Sequence, residues 1–366
     1  MRIIISGGGT GGHVFPAIAI ADAIKKKHPE AEIRFVGAKG KLEMEKVPKA
    51  GYPIDGLWIS GFQRKLTWQL FSFPIKLISS LWKARQIIRK FRPDVAVGVG
   101  GYASGPTLQM AERAGVPCLL QEQNSYAGVT NRILAGKASR ICVAYEGMEK
   151  YFPATRLVLT GNPVRDAIRN SVATREAAGT YFEVNPNRKT VLVFGGSLGA
   201  KSINEAIAAQ TELWQQHPEV QLIWQVGSLY WDQYQQAPMA QLENVKALPF
   251  IDRMDLAYEL ADVVVGRAGA LTISELCLVG KPTILIPSPN VAEDHQTKNA
   301  RALEEKDAAI LLPDSEAKAR ILTLALDILG DANRQSRLVK NIQALGIPDA
   351  DERIAAEVLR LISGKK

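Results

Sequence analysis

Cysteine is scarce in this 366-residue chain: Cys118, Cys142 and Cys277 are the only three, far apart and with no Cys-x-x-Cys spacing. Neither a disulfide framework nor a zinc site is indicated, and a reducing cytoplasm is the expected compartment. No run approaches the roughly 18 consecutive apolar residues of a membrane-spanning helix. The apolar stretch within residues 1–7 is too short for a signal-peptide core and reads as a first buried strand. Histidine is nearly as rare, with four residues, so few side chains are suited to proton transfer near neutral pH. Acids are missing from one whole window, residues 56–93. What remains is ordinary: 46% hydrophobic and 22% charged residues exclude disordered, collagenous and mucin-like chains, and the length suggests two domains.

The acid-free window holds Arg64, Lys65, Lys76, Lys83, Arg85, Arg89, Lys90 and Arg92, which equal the whole net charge of +8. The rest of the chain is neutral. The window also carries Trp58, Phe62, Trp68, Phe71, Phe73, Trp82 and Phe91. Residues 68–91 read as a helix with Phe71, Pro74, Leu77, Ile78, Leu81, Trp82 and Ile88 broadly on one side. Three readings compete: a core helix with a solvated basic face, a nucleic-acid surface, and an anionic membrane surface with apolar side chains set at the headgroup boundary. No nucleic-acid motif accompanies the segment, so no nucleic-acid partner is expected.

Apolar runs at 2–5, 33–36, 94–99, 117–120 and 140–143, then at 190–194, 221–226, 262–265 and 282–286, alternate with helical patterns. That alternation predicts parallel sheets covered on both faces. Two runs lead into glycine loops and helices, Gly7 to Gly12 and Gly195 to Gly199, each the opening of a Rossmann-like half. The expected architecture is therefore α/β: two Rossmann-like doubly wound parallel-sheet domains facing a central cleft. Residues 1–162 would form the first domain, 163–348 the second, and an amphipathic helix near 349–363 would pack back on the first.

Gly7-x-Gly9-x-x-Gly12 satisfies the dinucleotide fingerprint, but the second strand ends Val36-Gly37-Ala38-Lys39, without the acid that would hold a ribose. Gly199-Ala200-Lys201-Ser202 separates the glycine and lysine that a Walker loop needs adjacent. A third loop, Gly100-Gly101, follows the strand run at 94–99. One such loop is a tight turn; three at strand ends point to phosphate or pyrophosphate binding. After the run at 262–265, Glu275 sits in the early turns of a helix. It can complement the helix dipole or accept hydrogen bonds from both hydroxyls of a ribose.

The segments 8–16, 100–106, 122–124, 161–165, 195–200 and 266–275 occur in family order and together resemble the MurG family of bacterial peptidoglycan N-acetylglucosaminyltransferases. The resemblance implies a GT-B fold and an inverting transfer from UDP-N-acetylglucosamine to the 4-hydroxyl of the muramoyl sugar of undecaprenyl-pyrophosphoryl pentapeptide, lipid I to lipid II. It implies a peripheral enzyme on the cytoplasmic face of the bacterial inner membrane, in contact with anionic lipid through residues 56–93. Carried over by motif, Ile251 would meet the uracil, Glu275 the ribose, and Ser197 the diphosphate. Ala270, Leu271, Thr272, Ile273 and Ser274 would line the same pocket. Arg165, Asn124, Thr10, Gly11 and Gly12 would also reach the donor, and Gln296 the transferred sugar. Gly101, Tyr102 and Ser104 would contact the acceptor. Gln121 stands where the family commonly has histidine, and His295 where some members have a second glutamine.

An inverting transfer needs a base for the acceptor hydroxyl and a counter-charge for departing UDP. His13, at a helix N-terminus that disfavours imidazolium, is the first candidate; capping of its own loop is the alternative role, and Glu122 is a second candidate base. The leaving charge falls to the Ser197 loop, the following helix N-terminus and Arg165. The only Asp-x-Asp, Asp349-Ala350-Asp351, reads as a helix start, so no metal or other cofactor is expected. A UDP-sugar epimerase on the same architecture is the competing enzyme class, and it needs further carboxylates that the sequence does not place.

Overall fold

The computed structural model describes residues 1–60 and 68–364. It divides into two units, residues 1–164 together with the segment from Ile347 onward, and Arg165–Gly346. The first unit contains β1 (Arg2–Ser6), β2 (Glu32–Ala38), β3 (Ile54–Leu57), β4 (Val95–Gly98), β5 (Cys118–Glu122), β6 (Arg140–Val143) and β7 (Leu157–Leu159), in the sheet order 3-2-1-4-5-6-7. The second contains β8 (Lys189–Phe194), β9 (Val220–Gln225), β10 (Val245–Leu248), β11 (Val263–Gly266), β12 (Thr283–Leu285) and β13 (Ile310–Leu311), in the order 10-9-8-11-12-13. Every pairing is parallel, with registers such as Ile4 against Arg34 and Ala96, and Val193 against Trp224 and Val265. Both are doubly wound sheets whose order reverses beside the first strand.

The central strands are apolar without alternation because helices cover both faces. Ile3, Ile4 and Ile5 are wholly buried, as are Val191, Leu192 and Val193 and, beside them, Val263, Val264 and Val265. Four strands have no counterpart among the expected runs: β3, β7, β10 and β13. They are the two edges of each sheet. Edge strands are short and half-exposed, as Val245–Leu248 is along its whole length, so they leave no continuous apolar run to read. The last helix, Ala350–Ser363, places Ile354, Ala355 and Val358 in the core beside helix Gly11–Lys27.

Helix Trp68–Phe91 has the expected bounds but not the expected single apolar side. Leu77, Leu81, Ala84 and Ile88 pack on the first core. Ile75, Ile78 and Trp82 face outward, 62%, 67% and 64% exposed. They lie three and four residues apart, one stripe of the helix, which Arg85 and Arg89 continue on the same exposed side. Phe62, Arg64 and Lys65 lie outside the described residues, as do the side chains of Trp68 and Phe71.

Candidate active site

In each unit the glycine loops emerge at the carboxyl ends of the two strands flanking the reversal of order, where open α/β sheets bind ligands. In the first unit, β1 feeds Gly7 to Gly12 into helix Gly11–Lys27 and β4 feeds Gly100-Gly101 into helix Ser104–Arg113. His13 is the third residue of the first helix, whose first turn holds no acid. Its ring lies on the second loop: a Cβ at Gly100 would come within 2.8 Å of His13 Cε1, so a side chain there would displace the imidazole. His13 Nδ1 is 3.0 Å from Gln123 Oε1.

Glu43 fills the space beneath the first loop. It is buried, and its carboxylate accepts from Gly9 N–H and Ala38 N–H, both at 2.9 Å. A Cβ on Gly8 would collide with it at 2.1 Å. The anion bound to Gly9 is thus the protein's own. Thr10, Gly11 and Gly12, further along, stay partly or fully exposed.

Glu122, the second candidate base, is buried and accepts from Asn124 N–H at 3.1 Å, Asn124 Nδ2 at 3.3 Å, Gly128 N–H at 3.0 Å and Asn131 Nδ2 at 2.9 Å. Four donors bind its lone pairs, so it shapes residues 122–131, including Asn124. Ser104 is the third residue expected at the acceptor. It is wholly buried, and its hydroxyl lies 2.7 Å from Ser6 O and 2.8 Å from Gly100 O, its one proton shared between a carbonyl of β1 and one of the second loop. Tyr102, by contrast, is exposed, beside Gly101.

In the second unit, β8 leads into Gly195 to Gly199 and β11 into helix Ala270–Val279. Ser197 is exposed on the first loop. Glu275, almost buried, takes both nitrogens of the Arg165 fork, Nε to Oε1 at 2.8 Å and Nη2 to Oε2 at 3.0 Å, and accepts from Tyr258 OH at 3.2 Å. Burial, reinforced by Glu275, raises the Tyr258 phenol well above its ordinary pKa, which keeps it a donor. Ala270, Leu271, Thr272 and Ser274 are partly exposed on the same helix, whereas Ile273 is buried. Ser274 Oγ donates to Ala270 O at 3.1 Å.

Gln225 joins two expected contacts: its Nε2 donates to Gly196 O at 2.8 Å and its Oε1 accepts from Ile251 N–H at 3.3 Å. Gln296 Oε1 accepts from Ser288 N–H at 2.8 Å, which orients its Nε2 as the donor end. Glu293 and Asp294, which precede His295 at the start of its helix, both hold left-handed backbone, at φ 58° and 52°. Gln123, Glu43, Tyr258 and Gln225 were missed from sequence. Each meets a partner from another element, Glu43 with Gly9 across 34 residues, Tyr258 with Glu275 across 17 and Gln123 with His13 across 110, and no local spacing announces such a contact.

Cysteine chemistry has no place here: all three thiols are buried, and burial pushes Cys142 and Cys277 up to about 12. Among the described residues, no group of three or more His, Cys, Asp and Glu side chains is placed to hold a metal ion. Asp349 pairs with Arg353 Nε at 2.8 Å across the first turn of the last helix.

Residues 3–143 match the N-terminal domain of glycosyltransferase family 28, and residues 190–354 its C-terminal domain. The chain is 55% identical over 363 residues to the UDP-N-acetylglucosamine–N-acetylmuramyl-(pentapeptide) pyrophosphoryl-undecaprenol N-acetylglucosamine transferase of Bacteroides fragilis, covering 99% of this chain and 96% of that one. It is similar to the crystal structure of MurG from Acinetobacter baumannii, with a TM-score of 0.81 and 28% identity over 98% of this chain and 99% of that one. It also resembles UDP-GlcNAc 2-epimerase from Neisseria meningitidis, at a TM-score of 0.67 and 14% identity over 98% and 100% of the two chains, a likeness of fold alone. With both domains in chain order and over half its residues shared with a full-length relative, the chain belongs to glycosyltransferase family 28, among the pyrophosphoryl-undecaprenol N-acetylglucosamine transferases.

Proposed function

We infer that this protein transfers N-acetylglucosamine from UDP-N-acetylglucosamine to the 4-hydroxyl of the muramoyl sugar of undecaprenyl-pyrophosphoryl-MurNAc-pentapeptide, with inversion, in peptidoglycan biosynthesis. The full-length likeness to the Bacteroides fragilis transferase carries this reading. His13 is the general base for the acceptor hydroxyl, and the commitment of Glu122 to four donors of its own loop supports that choice. Thr10, Gly11, Gly12, Gly101 and Tyr102 line the approach to it.

The donor is held in the second unit. The Ile251 backbone meets uracil, and Ser197 with its loop meets the diphosphate. A carboxylate offers about four lone-pair sites. Arg165 and Tyr258 occupy three on Glu275, so two ribose hydroxyls can both be accepted only if a donor yields. Arg165, whose side chain is 53% exposed, is the one able to leave; its charge then meets the diphosphate. Gln296 presents an N–H to the transferred sugar. Leaving-group charge is met by these groups and the N-terminus of helix Lys201–Ala209, without a metal or other cofactor.

The enzyme works as a peripheral protein on the cytoplasmic face of the membrane, with Ile75, Ile78 and Trp82 at the headgroup boundary and Arg85 and Arg89 on anionic lipid. Among the described residues no helix is long and apolar enough to cross a bilayer. The deciding assay follows labelled UDP-N-acetylglucosamine with and without the lipid-linked acceptor. Label should enter lipid only when acceptor is present, EDTA should not abolish transfer, and His13→Ala should lower kcat by roughly 100-fold or more with little change in donor KM. Conversion of the nucleotide sugar without acceptor would instead indicate epimerisation, and unchanged turnover in His13→Ala would remove that residue from the base role.

A further inference from the structure

We propose that Gln123 is a positioning residue that fixes His13 in its Nδ1–H tautomer, as the last member of a buried amide relay running Asn162, Gln121, Gln123. In its consequence for catalysis the inference rests on His13 being the base.

An amide side chain can be placed either way round, so its orientation has to be argued from partners that only accept or only donate. Two backbone carbonyls settle the whole relay. Asn162 Nδ2 donates to the carbonyl of Gln123 at 3.0 Å, which turns Asn162 Oδ1 towards Gln121. That oxygen accepts from Gln121 Nε2 at 2.9 Å, which turns Gln121 Oε1 towards Gln123. Gln123 Nε2 donates to Gln121 Oε1 and, independently, to the carbonyl of Val99 at 2.9 Å. Both anchors give Gln123 the same orientation, with Oε1 facing His13 Nδ1 at 3.0 Å. An amide oxygen carries no proton, so in the neutral ring the hydrogen must reside on Nδ1. The lone pair that can take a proton is then on Nε2.

The three amides are buried, 0% to 2% exposed, and none of them titrates. Their environment makes the choice of tautomer energetically strict, because a reversed imidazole would set two acceptors against each other in the interior. The relay also gives a role to Gln121, one of the two positions where this sequence departs from the pattern of the family it resembles. An amide there donates to Asn162 and accepts from Gln123 at once, whereas a histidine would have a tautomer of its own to settle. Asn162 belongs to the Gly161-Asn162-Pro163 turn that follows β7, so the base is oriented from the far end of its own sheet.

The test is 15N NMR of the full-length protein labelled on histidine, with the His13 ring assigned by its loss in His13→Gln. The expected spectrum has His13 protonated on Nδ1; protonation on Nε2 in the neutral ring would overturn the proposal without any variant being made. Gln123→Met should then lose the single-tautomer pattern and lower kcat by about 10- to 100-fold, part of the roughly 10²–10⁴ a positioned base supplies, with donor KM within about twofold. An unchanged ring spectrum in a folded Gln123→Met protein would refute the positioning role. Full turnover in His13→Ala alongside an Nδ1–H wild-type ring would sink the base reading while leaving the tautomer assignment standing.

Discussion

Glu275 shows how much of a site can be read from one residue and how much cannot. Its place just after a buried strand, in the early turns of a helix, left two roles open, partner of the helix dipole or acceptor for a ribose, and only the family resemblance favoured the second. Its partners were not legible, because Arg165 is 110 residues away and Tyr258 sits on a different helix. Tyr258 is the immobile member of the trio: its ring is buried against Phe194, at a centroid distance of 6.2 Å. Tyr258→Phe keeps the ring and deletes one hydrogen bond to a charged acceptor, an interaction of about 1.5–3 kcal/mol. The expected outcome is a donor KM raised about 10-fold or more, kcat nearly unchanged, and a smaller loss for a UDP analogue lacking a ribose hydroxyl. Equal loss for both nucleotides would mean that the phenol supports the fold and not the ribose contact.

The same contrast holds for whole elements. Every interior strand was legible, because burial on two faces demands an unbroken apolar run, as in Ile3-Ile4-Ile5 and Val263-Val264-Val265. Every edge strand was not, because one side of it meets solvent and its residues can be anything short of proline-rich. Helix Trp68–Phe91 was legible in extent but not in orientation. Its apolar residues form two stripes, and only the three-dimensional fold says that Leu77, Leu81 and Ile88 face the core while Ile75, Ile78 and Trp82 face out. Lys76 adds a cation over the Trp58 ring, 5.8 Å from its centroid. Each base near an anionic surface contributes about 1 kcal/mol. Reversing two of them, as Arg85→Glu with Arg89→Glu, should therefore lower partitioning onto phosphatidylglycerol vesicles by more than 10-fold, while transfer to a detergent-solubilised acceptor is retained. Equal flotation of wild type and variant would remove this helix from the membrane contact.

At the scale of the molecule, two sheets of the same winding carry the same kind of glycine loop, yet in the first a buried carboxylate of the protein itself is bound to a loop N–H, and the nucleotide site we propose is in the second. The difference is Glu43, which lies 34 residues from Gly9 and therefore escaped the fingerprint test applied at the end of β2. Isothermal titration with UDP should give one site per chain, abolished by Glu275→Ala and unaffected in number by Glu43→Gln; two equivalent sites in the wild type would contradict the assignment. A carboxylate attached to the chain competes with any free phosphate from an effective concentration of at least millimolar order. The first loop is in this sense inhibited by a built-in competitor, and a diphosphate mimic, however tightly it binds glycine loops in general, is opposed at Gly9 by an anion the protein carries with it.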